Sequence, residues 1–163
     1  MRGKKTLVVY YSRTGTTRKV AEYIRERLAA DIDEIIDKKN RKGPLGWLMA
    51  GKDAGSKSLT VIEEPSIDPS GYDLVVIGSP VWNDTVSAPI RTYITEFKDR
   101  FHQVALFTTQ DGDEAQAIAD MKALLGRSPV ASIQLRRKQD VDSGDYLELL
   151  EGYLKSQNGE EMA

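Results

Sequence analysis

Apolar residues follow two rhythms along this chain. The first is a short unbroken run. Thr6-Leu7-Val8-Val9-Tyr10-Tyr11 is one, Asp73-Leu74-Val75-Val76-Ile77-Gly78 is the clearest, and 103–108 is a third. Such runs suit strands covered on both faces, as in a parallel sheet. The second rhythm returns every three or four residues. Val20, Ile24 and Leu28 share one face of a helix predicted over 16–30. Ile90, Tyr93, Ile94 and Phe97 do the same over 88–97, and Ile118, Met121, Leu124 and Leu125 over 114–125. Tyr146, Leu149, Leu150, Tyr153 and Leu154 mark a last helix over 145–155. Weaker strands are predicted at 32–37 and 131–135. From Lys38 to Tyr72 the pattern breaks into Lys, Gly, Pro and Ser. A structureless loop that long is uncommon in a compact domain, so a short helix is predicted over 45–54. The tail from Ser156 is polar and is expected to fray.

Strands and helices therefore alternate along the chain. That order implies an α/β fold: a doubly wound, five-stranded parallel sheet with right-handed crossovers and helices on both faces. The 163 residues suit one domain, 1–163, with a real core. Ligands of such sheets bind at the carboxyl ends of the strands, near the point where strand order reverses. Three polar loops leave carboxyl ends, at 12–17, 79–85 and 109–113.

Composition narrows the chemistry. Lys plus Arg is 23 and Asp plus Glu is 25, a net charge of −2. That balance gives no bulk electrostatic case for nucleic acid. The chain has no Cys and a single His, His102, which excludes disulfides, thiolate nucleophiles and multi-His metal sites. No stretch approaches the roughly 20 apolar residues of a spanning helix, so no membrane insertion is expected. The basic start Met1-Arg2-Gly3-Lys4-Lys5 precedes an apolar run too short for a signal peptide, and a cytoplasmic chain is expected.

The loop Ser12-Arg13-Thr14-Gly15-Thr16-Thr17 carries more hydrogen-bonding capacity than a turn requires. Its four hydroxyls, a Gly free to adopt positive φ, and the orphan N–H groups of the next helix make a cup for a phosphate. It is neither a Walker loop nor a GxGxxG loop. The plainer reading is a helix capped by Thr14 or Thr16. Arg13 is not required for the cup and can equally face solvent.

Here the sequence resembles the flavodoxin family. The residues that carry the likeness are Val8-Val9-Tyr10-Tyr11-Ser12-x-Thr14-Gly15-x-Thr17, Gly78-Ser79-Pro80-Val81-Trp82 and Phe107-Thr108-Thr109-Gln110-x-Gly112. It runs over about residues 5–155. The resemblance implies that the first loop holds the FMN phosphate without Mg²⁺, and that the other two hold the isoalloxazine ring. The implied cofactor-binding residues are Ser12, Arg13, Thr14, Gly15, Thr16, Thr17, Pro80, Val81, Trp82, Asn83, Asp84, Thr109, Gln110, Asp111 and Gly112. No catalytic or metal-binding residue is expected.

On their own terms, the second and third loops leave choices open. A loop Trp such as Trp82 is either a packing plug or a stacking surface. Asn83-Asp84 reads as an ordinary turn. Family relatives often carry Gly near Asp84, where a peptide flips on flavin reduction. Asn and Asp tolerate positive φ, and a carboxylate there would disfavour an anionic reduced ring. In the third loop, Thr109 to Gly112 can supply rim contacts, while Asp113 can cap a helix with Glu114 and Asp120 as solvated charges. The basic segment 38–57, with Trp47, Leu48 and Met49, reads as a covering helix, a lid or a partner-docking face. The leading expectation is an FMN electron carrier serving redox partner proteins, as a monomer or weak homodimer. The alternatives are an FMN-dependent NAD(P)H:quinone-type oxidoreductase and a flavin-free binding module on the same fold.

Overall fold

A computed structural model describes residues 4–39, 43–55, 57–112 and 116–157. In chain order the elements are β1 (Thr6–Tyr10), α1 (Thr16–Leu28), β2 (Asp31–Glu34), α2 (Gly43–Gly55), β3 (Leu74–Trp82), β4 (Thr85–Val86), α3 (Ala88–Phe97), β5 (Gln103–Gln110), α4 (Ala117–Leu125), β6 (Ala131–Arg136) and α5 (Tyr146–Gln157). The sheet order is β2-β1-β3-β5-β6, with all of these pairs parallel. The two-residue β4 adds an antiparallel pairing onto the end of β3. After β2 the chain crosses to the other side of β1, so the order reverses between β1 and β3. That switch point is where a doubly wound sheet opens a crevice.

Alternation along the strands explains their unbroken apolar runs. Leu7 and Val9 of β1 point to one face and Val8 and Tyr10 to the other. The first face carries Val75, Ile77 and Leu106 against Ile90, Tyr93 and Met121 of α3 and α4. The second carries Val76, Ala105 and Phe107 against Val20, Ile24 and Leu150 of α1 and α5. Gly78 is required where Phe107 crosses it, because a Cβ at that position would run into the ring.

Several boundaries differ from the sequence reading. Helix α1 ends at Leu28 because Ala29 turns left-handed (φ 50°), and the Ala30 N–H closes onto the Arg25 carbonyl at 2.9 Å. No glycine signals this stop. β2 is shorter than expected, since Lys38 N–H bonds the Val61 carbonyl and Glu63 N–H the Ile36 carbonyl instead. β3 runs four residues past Gly78, and β5 runs on to Gln110. β1 ends opposite Gly78, so β3 has a free side beyond it, where Pro80 is tolerated. A π-helical turn, Arg137–Asp142, follows β6 where the sequence showed no periodic pattern. The expected cap Asp113, the expected solvated charge Glu114, and the chain beyond 157 lie outside the described residues.

Candidate functional site

At the head of α1, Gly15 adopts φ 105° and its carbonyl accepts the first helical bond, from Lys19 N–H at 3.0 Å. No side chain caps this end. The expectation of a Thr14 or Thr16 cap is therefore corrected: a left-handed glycine starts the helix, and no threonine hydroxyl bends back to it. The N–H groups of Thr16, Thr17 and Arg18 have no carbonyl four residues back within the helix, and the dipole adds positive charge beside them. Ser12 Oγ accepts from Gly15 N–H at 3.0 Å and folds the loop on itself. Thr17 is buried, and its hydroxyl lies 2.7 Å from that of Thr109. This bond ties the first loop to the third.

Arg13, Thr14, Thr16 and Thr17 line one end of a cavity of about 440 Å³. Pro80, Val81, Trp82, Thr109, Gln110 and Asp111 line the rest, with Trp47, Arg137 and Asp142. A second chamber of about 430 Å³ adjoins it through Trp47, Val81, Trp82, Gln110 and Asp111, and continues to Leu48, Ala50, Asn83, Asp84 and Gly112. Ser12 and Gly15 face a different cleft, of about 700 Å³, toward Glu34 and Lys39, which also takes in Arg13 and Thr14. The two chambers thus form one cleft with a polar end at α1 and a more apolar end under α2.

The stretch 79–85, expected as a loop, is a strand end and a hairpin. Trp82 pairs with Thr85 across a two-residue turn. Asn83 (φ 47°) and Asp84 (φ 67°) are both left-handed, as a type I′ turn requires. Polar groups, buried at Ser79, Thr85 and Ser87, anchor this hairpin. Ser87 N–H donates to Ser79 Oγ at 3.1 Å, and Gln116 N–H to the Asp84 carbonyl at 2.7 Å. Thr85 donates to Asp120, which was expected as a solvated charge and instead lies 3.8 Å from the buried Arg91 guanidinium. Burial pulls the Arg91 pKa down, and Asp120 partly restores it.

Trp82 is only 7% exposed and meets Tyr11 edge-on at 5.4 Å. It is at once a core plug and a wall of both chambers. In the third loop Gln110 Nε2 donates to the Gly112 carbonyl at 2.8 Å, leaving Asp111 and Gly112 at the rim. Asp111 accepts from Arg137 Nε at 2.6 Å, which raises the Arg137 pKa. The sequence reading did not include Arg137, Asp142, Trp47 or Leu48 in the site. Arg137 follows the carboxyl end of a predicted strand, the same signal that located the other loops. Trp47 sits in a segment whose apolar pattern carries no period.

A doubly wound sheet with an uncapped helix at its switch point, opening into a half-apolar cleft, is the build of a mononucleotide-binding domain. The family model for flavodoxins matches residues 5–134, and the chain belongs to that family. Among solved structures, it is similar to a flavoprotein in complex with FMN from Lactobacillus acidophilus NCFM, with 28% identity and a TM-score of 0.71 over 86% of this chain and 98% of that one. A protein from Bacteroides eggerthii DSM 20697 shares the fold at 24% identity and a TM-score of 0.70, over 91% and 99% of the two chains. Two-electron reduced Megasphaera elsdenii flavodoxin shares it at 14% identity and 0.60, over 92% and 98%. No curated protein matches the sequence.

Proposed function

We propose that this protein, as a single flavodoxin-like domain, binds FMN in the two-chambered cleft and carries electrons between redox partners. The observation that carries the reading is the uncapped start of α1. Its free N–H groups and the Thr14 and Thr16 hydroxyls meet at the polar end of a cleft walled by Val81 and Trp82 at the other. Donors without an internal partner suit a phosphate, and flat indole and aliphatic walls suit a ring. The combined space falls within the 300–1,000 Å³ usual for such ligands. Bound FMN supplies the electron chemistry. The chain's own residues would hold the phosphate at the head of α1 and the ring against Trp82 and the 109–112 segment, and would set the charge around it. Asp84 places a carboxylate beside the second chamber and disfavours added negative charge there. Arg137 places a cation beside the first.

The test is flavin release and reconstitution. The purified protein releases FMN rather than FAD. Thr14→Ala removes one donor to a dianion, worth about 1.5–3 kcal/mol, so FMN affinity falls about ten-fold or more while riboflavin affinity holds. Equal weakening of both ligands, or recovery of FAD, would sink the reading. Rapid flavin reduction by NAD(P)H alone would shift the assignment to an oxidoreductase.

A further inference from the structure

Helix α2 is built the wrong way round for a mere cover. It turns small residues inward: Gly46 and Ala50, one turn apart, are buried. Leu45, Trp47 and Leu48 face outward, 71%, 62% and 60% exposed, while Met49 is half-buried. Trp47 and Leu48 stand at the second chamber, where the far end of the cleft opens. The segment that carries them is basic in sequence, and Lys52 lines the same chamber. Residues 38–57 hold six Lys or Arg and one Asp, a net +5 in a chain of net −2, so all the rest carries −7. Lys38, Lys39, Lys52 and Lys57 are exposed.

We propose that this face docks an acidic electron-transfer protein, whose apolar centre covers Leu45, Trp47 and Leu48 and whose carboxylates meet the lysines. The proposal rests on the FMN reading for its purpose, but the docking itself does not require the flavin. An apolar centre with a charged rim is the ordinary anatomy of a transient interface. The asymmetry supplies direction: an acidic partner is attracted to the exposed lysines of this basic segment and repelled by the net acidic remainder of the chain, which steers it toward the second chamber. A bilayer fits less well. Trp47 belongs to the wall of the cleft, and three side chains offer little to insert, while the acidic remainder is repelled by anionic lipid. A second copy would have to pair this face with a different, acidic one, a contact that does not close on itself.

The experiment titrates the protein with a strongly acidic [2Fe–2S] ferredoxin, both fully oxidised, by calorimetry. Binding is then read without electron transfer, and is measured with and without FMN. At low salt the ferredoxin binds, and at 200 mM salt the affinity falls about ten-fold. The double change Lys38→Glu, Lys57→Glu weakens low-salt binding about ten-fold, and Leu48→Ser weakens it at both salts. Glu148→Lys on α5, against the opposite face of the sheet, changes it less than two-fold. All four side chains are exposed, so unchanged melting curves certify the variants. Binding that is indifferent to the lysines, or tighter binding of a basic c-type cytochrome at the same lysines, overturns the proposal. So does lysine-dependent binding to phosphatidylglycerol vesicles with no ferredoxin binding, or self-association that the same substitutions abolish. Ferredoxin binding by a protein that never takes up FMN would keep the docking face and remove the flavin reading.

Discussion

Trp82 and Trp47 divide two jobs between two indoles. Trp82 is packed on Tyr11 and among core residues such as Ile77 and Val86. Trp82→Ala therefore leaves a cavity and costs the apoprotein about 3–5 kcal/mol, besides weakening FMN. Trp82→Phe restores most of the stability and part of the affinity. Trp47 is mostly exposed, so Trp47→Ala leaves the apoprotein melt within about 0.5 kcal/mol of the parent. It still weakens FMN several-fold, because its ring walls both chambers. Of the readings open for the 38–57 segment, a plain covering helix fits least, because Trp47 lines both chambers. Flavin titration and urea unfolding of the same variants separate the two roles; a Trp47→Ala protein with parental FMN affinity would remove that indole from the site. Trp82 was legible because it follows a clear strand and a Pro. Trp47 was not, because its helix inverts the amphipathic pattern from which helices are read. Arg137 was not, because a π-helical turn has no period of its own in the sequence.

At the scale of elements, boundaries were legible where local chemistry marks them. Helix α3 occupies 88–97 as expected, started by Pro89 within its first turn. The second loop became a hairpin because its turn uses Asn-Asp, a pair that reads equally well as any turn. Asp84→Gly relieves the left-handed strain and stabilises the protein by about 1 kcal/mol. Asp84→Asn keeps the backbone preference and removes only the charge. Both raise the midpoint potential of the bound flavin, and only the glycine variant raises the melting temperature. An unchanged potential in both would mean that solvent screens the carboxylate. The turn after β6 has its own anchor. Burial pushes the Asp140 carboxyl up, but hydrogen bonds from Arg136 (2.7 Å from its N–H, 3.2 Å from Nε) outweigh this and hold it below its usual value. A depressed folded pKa contributes stability that is fully present above the unfolded value near 3.9 and is lost as pH falls through the folded one. Asp140→Asn is therefore less stable at pH 7, and the gap closes below about pH 4. Urea unfolding between pH 7 and 3 checks it; a gap independent of pH would assign the loss to packing alone.

The whole molecule has one property that no single loop has: its cleft joins elements far apart in the chain. The alternation of strand and helix patterns was enough to imply a doubly wound sheet and to point to carboxyl ends. The strand order, and with it which loops meet, came only with pairing, as when Thr17 reaches Thr109 across 92 residues of sequence. A ligand that bridges these loops must therefore stabilise the fold as a unit. At 100 times its dissociation constant, a ligand that binds only the folded state adds about 2.7 kcal/mol. For a chain of 163 residues each kcal/mol is worth roughly 2–4 °C, so FMN should raise the apoprotein melting temperature by about 5–11 °C. The phosphate end supplies charge-assisted bonds that riboflavin cannot make, so riboflavin at the same concentration raises it much less. Inorganic phosphate alone gives a small rise and reduces the further gain from FMN, since both seek the head of α1. Thr14→Ala narrows the difference between FMN and riboflavin. A riboflavin shift equal to that of FMN, with phosphate inert, would mean that the ring alone anchors the ligand. The uncapped helix would then be an ordinary solvated end.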